Sequence, residues 1–76
     1  MRETENGYVR RKQIMMFIQK YISENGYSPS QREIGDGVGL KSLSTVNRQL
    51  ETLKTLGMIN FTPGIARTIS VKEARK

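Results

Sequence analysis

The sequence predicts a mainly α fold with a small β-hairpin, three helices followed by two short strands. Three observations predict it. Apolar residues recur at spacings of three and four from Val9 to about Asn25, and again from Leu43 to Leu53, laying an apolar stripe along each helix. Between them, Ser30 to Gly39 opens on a capping signature and closes on a glycine, as a short helix does. After Gly57 the period falls to two: Ile59 and Phe61 alternate with Met58 and Asn60, and Ile69 and Val71 with Thr68 and Ser70.

At 76 residues the chain forms one domain at most, and so small a domain buries only about 60% of the surface its unfolded chain exposes. With 36% hydrophobic and 26% charged residues it is no disordered tail, and no apolar run approaches the ~18 residues of a membrane span. Thirteen Lys and Arg against seven Asp and Glu give a formal charge of +6, for which a polyanion is the natural partner and plain solubility the bland reading. The absence of Cys and His excludes a zinc finger, a thiol nucleophile, an imidazole base and a disulfide. The opening MRETENGYVRRK lacks an apolar signal core, so a cytoplasmic location is expected.

Residues 1–8 are polar, carry Asn6-Gly7 and read as a flexible arm; residues 9–71 form the folded domain, and 72–76 a charged tail or the start of a linker. In the first helix, Ile14, Phe17, Ile18, Tyr21 and Ile22 share one face, and Gly26 caps its end in a left-handed conformation. Arg10, Arg11 and Lys12 fall in its early turns, where the helix dipole mildly disfavours cations; phosphate contact and simple solvation are the two readings. Pro29 holds Ser28 extended, after which Ser30 and Glu33 spell the reciprocal capping box S-x-x-E of a second helix. Ile34 and Val38 face inward, and the intervening Gly35 and Gly37 let two helices approach closely.

Gly39 is the turn glycine, Leu40 plugs the interior beneath it, and Ser42 or Ser44 caps the third helix. At 100° per residue, Leu43, Val46, Leu50 and Leu53 share the inner side, while Ser44, Arg48, Glu51 and Thr55 lie opposite, flanked by Thr45 and Asn47. Gly57 ends the helix. Met58 to Phe61 and Ile65 to Val71 are the strands, and Thr62-Pro63-Gly64 the turn between them. A capped helix, a glycine turn and a second amphipathic helix make a helix-turn-helix, and the hairpin adds a wing.

The third helix carries the functional expectation, because an α-helix fits the major groove of duplex DNA, where base edges display a donor and acceptor code. Arg48 suits guanine O6 and N7, Asn47 suits adenine N6 and N7, and the hydroxyls of Ser44 and Thr45 serve a base or a phosphate, with Ser42 better placed for the backbone. Each alone is an ordinary helix position; together on one face they favour DNA. Lys41 from the turn and Arg67 near the wing tip are expected at phosphates, with Arg10 and Arg11. Glu51 is expected to pair with Arg48 or Lys54. GDGVGLKS, residues 35–42, superficially suggests a phosphate-binding loop, but Leu40 separates Gly39 from Lys41 and a capped helix precedes it, so no nucleotide and no cofactor is expected. With no acid/base or nucleophile constellation, the chain is not expected to be an enzyme.

From about Val9 to Val71 the chain resembles the N-terminal DNA-binding domain of the LexA repressor family, most specifically in FIQKYISENGYSPSQREIG, in VGLKSLSTVNRQLETLKTLGMI and in the strand from Arg67 to Val71. The resemblance implies a winged helix-turn-helix that recognises an operator and represses transcription, in that family the genes of the DNA-damage response. It assigns base reading to Ser42, Ser44, Thr45, Asn47 and Arg48, where this sequence also departs from the family's patterns. Repressors of this family carry a C-terminal domain that dimerises and cleaves the chain with a serine and lysine pair, which this sequence cannot supply. An excised domain and a small independent regulator of a phage or mobile element are the two readings, the latter with a protein-interaction module as the alternative use of the fold. A monomer or weak homodimer off DNA is expected, since no apolar seam is left over once the core is built.

Overall fold

The computed structural model describes residues 2–72, with side chains described from residue 7. Three helices, α1 (Arg2–Asn25), α2 (Gln31–Val38) and α3 (Leu43–Thr55), precede a hairpin of β1 (Ile59–Asn60) and β2 (Ser70–Val71). The strands are antiparallel, with Ile59 opposite Val71 and Asn60 opposite Ser70. Helix α1 packs on α2, α2 on α3, and α3 on β1, the order of a winged helix-turn-helix.

Helix α1 begins at Arg2, so the flexible arm expected over residues 1–8 is helical from its second residue. Gly7 does not stop it, because a glycine inside a helix costs only about 1 kcal/mol relative to alanine. The tail expected at 72–76 lies outside the described residues beyond Lys72.

The cap of α2 forms as its sequence spells it. Ser30 is extended at φ −81° and ψ 166°, its N–H donates to Glu33 Oε1 at 2.9 Å, and the Glu33 N–H donates to Ser30 Oγ at 3.1 Å. Gly39 then takes φ +80°, which reverses the chain while the Leu40 N–H donates back to Gly35 O at 2.8 Å. Helix α3 ends in a Schellman pair, with Gly57 N–H donating to Lys54 O and Met58 N–H to Leu53 O, both at 3.0 Å.

The core joins Ile14, Met15 and Ile18 of α1, Ile34 of α2, Val46, Leu50 and Leu53 of α3, and Ile59, Phe61 and Ile69 of the hairpin. Leu43 departs from the expected inner stripe and stands 44% exposed. As the first residue of α3 it has no preceding helical turn to pack on.

Both strands are shorter than the alternating pattern suggests. Thr68 takes over the polar groups of the intervening loop: the Thr62 N–H donates to its Oγ1 at 2.9 Å, and that hydroxyl lies 3.0 Å from Ile65 O and 3.3 Å from Thr62 O. Once those groups are satisfied locally, nothing requires a longer ladder.

Candidate nucleic-acid interface

Helix α3 is fixed from behind by apolar burial: Val46, Leu50 and Leu53 are at most 1% exposed. Its opposite side carries Ser44 and Arg48, both exposed and one turn apart, with the half-buried Thr45 and Asn47 beside them. Ser42 is the N-cap, at φ −97° and ψ 123°, and its Oγ accepts from the Thr45 N–H at 3.4 Å. Lys41 precedes it, exposed in the turn. The five residues expected to read bases and one of the four expected at phosphates therefore lie in one continuous stretch at the front of α3.

Gln31, which the sequence did not single out, supports that front. Its Nε2 donates to Asn47 Oδ1 at 3.2 Å, tying the first residue of α2 to the middle of the polar face and orienting the Asn47 amide. A pairing across 16 residues between two neutral side chains leaves no pattern in the sequence.

The other three phosphate candidates are placed elsewhere. Arg10 lies in the third turn of α1, because that helix starts at Arg2, and the dipole cost assigned to it does not arise. Its Nη1 donates to Val38 O at 2.8 Å and to Gln13 Oε1 at 3.4 Å, so the cation caps the carbonyl end of α2. Arg11 lines an apolar hollow of about 250 Å³ with Tyr8, Lys12, Met15, Leu53, Leu56 and Met58. Leu53 lies nine residues beyond Ser44, about 13 Å along the helix axis from the polar front.

Arg67 has a partner within the chain: its guanidinium grips Glu33 with both ends, Nη1 to Oε1 at 3.0 Å and Nη2 to Oε2 at 3.1 Å. Nη1 also donates to Ser28 O at 3.0 Å and to the Tyr21 hydroxyl at 3.4 Å, and the cation lies 5.2 Å from the centre of the Tyr27 ring. The arginine, helped by the Ser30 N–H, holds the Glu33 carboxyl well below its ordinary value of 4.5, at about 2, and the Arg67 guanidinium is raised in turn.

Glu51 does not find the partner expected for it. The ion pairs among the described residues are Lys20–Glu24 and Arg67–Glu33. Lys54 instead donates to Phe61 O at 3.1 Å, with its ammonium 5.1 Å from the Phe61 ring centre, which draws it towards the wing.

The molecule thus presents a polar helix face on a helix-turn-helix, with a wing beside it. The LexA DNA binding domain family matches residues 7–68. The chain belongs to that family. Its LexA-family relatives include the LexA repressor of Arthrobacter sp. (strain FB24), 49% identical over 63 residues, which are 83% of this chain and 25% of the relative. The LexA repressor of Syntrophomonas wolfei is 50% identical over 60 residues, 79% of this chain and 29% of the relative, and LexA repressor 1 of Nocardia farcinica is 42% identical over 64 residues, 84% and 30%. The chain thus spans between a quarter and a third of the length of these relatives. Among the described residues no helix is long and apolar enough to cross a membrane, and no group of three potential metal-binding side chains comes together.

Proposed function

We propose that this LexA-type domain represses transcription by holding an operator in duplex DNA, with α3 in the major groove and the wing on the phosphate backbone. The observation that carries the reading is the exposed face of Ser44 and Arg48, flanked by Thr45 and Asn47, on a helix whose other side is core. In this role Arg48 takes a guanine and Asn47 an adenine, the hydroxyls of Ser44 and Thr45 take a base or a phosphate, and Ser42 faces the backbone. Lys41 adds a cation beside the N-terminus of α3, whose unpaired N–H groups and dipole favour a phosphate there. The relatives are repressors by name, and the DNA-damage genes that the LexA resemblance implies are the proposed targets. Two weakly associating copies on a palindromic operator, and self-cleavage by a further domain as in full-length LexA-like repressors, belong to the same proposal.

The test is a base-by-base affinity profile. Selection of bound duplexes from a random pool gives the site; Arg48→Ala then costs about 1–3 kcal/mol at one base pair and relaxes preference there. Equal losses on the selected site and on random DNA contradict the assignment. The alternative, a winged helix used as a protein-interaction module of a small regulator, draws support from the exposed Tyr8, Leu56 and Met58 around the apolar hollow, and it predicts no sequence preference at all in the selection.

A further inference from the structure

The wing is held by something other than its sheet. Its ladder is two residue pairs long, and the bonds made by Thr68 shape the loop internally without fixing it to the rest of the molecule. What crosses from the wing to the helices on the α2 side is the Arg67 side chain. It reaches Glu33, Ser28 and Tyr21, partners 34, 39 and 46 residues away. Oε1 of Glu33 also closes the capping box with the Ser30 N–H, so one carboxylate ties the start of α2 and the wing together. Arg67 is moreover the one non-glycine residue at positive φ, +61°, among the described residues. A bulky side chain rarely adopts that conformation, and it persists where surrounding contacts over-determine it.

We infer that Arg67 is a positioning residue for DNA binding: through its two-pronged grip on Glu33 it locks the wing to the start of α2 and sets the pose in which the wing meets the duplex. The inference rests on the reading that the wing lies on the backbone. It differs from direct phosphate contact in the sign of one effect. Glu33→Gln removes a negative charge, which by itself tightens binding to a polyanion, and glutamine still serves the capping box. With the grip lost, however, the wing must be ordered at the moment of binding, and affinity falls.

The experiment measures binding of the full chain to a duplex it selects from a random pool, across a range of salt concentrations. Glu33→Gln weakens binding by about tenfold, the scale of ordering one or two segments on association. Arg67→Lys, which keeps the charge and loses the planar fork, weakens it by a similar factor, and the double variant is no weaker than either single one. The dependence of log affinity on log salt keeps its slope, since no phosphate contact is lost. In the free protein, amide relaxation shows residues 62–68 of Arg67→Lys loosened while α3 is unchanged, a readout independent of DNA and of how Glu33→Gln folds. Tighter binding by Glu33→Gln, or wild-type affinity and wing order in Arg67→Lys, overturns the inference. Ala66→Glu, an acid on the exposed loop, separates the two readings when set beside Gln19→Glu, the same charge at an exposed position of α1. If Ala66→Glu weakens binding more, the wing is at the backbone and the other variants judge Arg67 alone; if the two lose equally, the wing reading fails and takes the inference with it.

Discussion

Behind the front of α3 stand Val46, Leu50 and Leu53, sealed from water; behind the wing loop, beyond Phe61 and Ile69, stands an ion pair whose two side chains remain 42% and 36% exposed. The hairpin shares the core with α3 through Ile59, Phe61 and Ile69, so the two parts proposed to meet DNA differ in what is added to that burial: the loop of the wing relies on the ion pair as well. Burial of apolar surface is non-directional and nearly indifferent to salt and pH, so it fixes α3 under all conditions in which the domain folds. A guanidinium on a carboxylate is directional and holds one geometry well, but it is screened by ions and can be titrated. The reader is bolted down, and the wing is held by an adjustable catch.

The largest effect comes from breaking the apolar seat. Leu50→Ala removes a side chain that is 0% exposed at the centre of α3, and it costs about 2–5 kcal/mol. A domain of 76 residues has only about 4–11 kcal/mol in total, so the variant sits near the edge of folding and loses operator and non-specific binding together. Urea unfolding measures this. A loss below about 1 kcal/mol contradicts the idea that the seat of α3 is the main store of stability.

Next is the joint between the two helices. A Cβ placed on Gly35 lies 2.8 Å from the backbone oxygen of Leu40 and 3.4 Å from Val46 Cγ2, so a branched side chain there pushes the turn away from α3. Gly35→Val destabilises by about 1–3 kcal/mol, the usual cost of overpacking, and weakens operator binding beyond that because the turn leading into α3 is displaced. The added Cβ meets Leu40 and Val46 and no wing residue, and Glu33 keeps its place at the start of α2. Wild-type amide shifts over residues 62–68 in the variant, beside altered shifts in 39–48, are the expected result; shifts across both regions show the two seats are coupled and the contrast between them false.

What the sequence disclosed and what it hid follow the same division. Ser30 and Glu33 are three residues apart, Gly39 and Gly57 each end a helix, and Ile59 and Phe61 alternate with their neighbours; all of these are local arrangements that propensity and spacing reveal. The polar front of α3 was legible for the same reason, since 100° per residue sorts its faces without knowledge of the partner. The internal partners of Arg67 and Arg10 were not legible because a cation is read as solvated or phosphate-bound until its carboxylate or carbonyl is known, and those partners are 34 and 28 residues away. Leu43 fits the inner stripe by angle and fails by position, because periodicity does not say where the supporting core stops. The two-residue strands were overestimated because Thr68, a β-former by composition, spends its hydroxyl on the loop instead of extending the ladder.

The smallest effect, and the one most specific to the wing, is an acid dependence. Glu33 has its pKa lowered from 4.5 to about 2, first by the Arg67 hydrogen bonds and then by the Ser30 N–H, with desolvation opposing. Because the folded value lies below the unfolded one, protons bind the unfolded chain more readily, so the contribution of this carboxylate is complete above about 4.5 and disappears as pH falls towards 2. The pair is open to solvent and salt reduces its worth, so the change in melting temperature is modest. Glu33→Gln isolates the contribution of this carboxylate. The melting-temperature gap between wild type and variant should be constant near neutrality, shrink as acid enters that window and vanish at its lower end, while amide exchange in residues 62–68 quickens in step and exchange in α3 does not. A gap that ignores pH would mean that the carboxylate's charge contributes nothing and that the capping box alone holds residue 33 in place; the wing and the reader would then be seated alike.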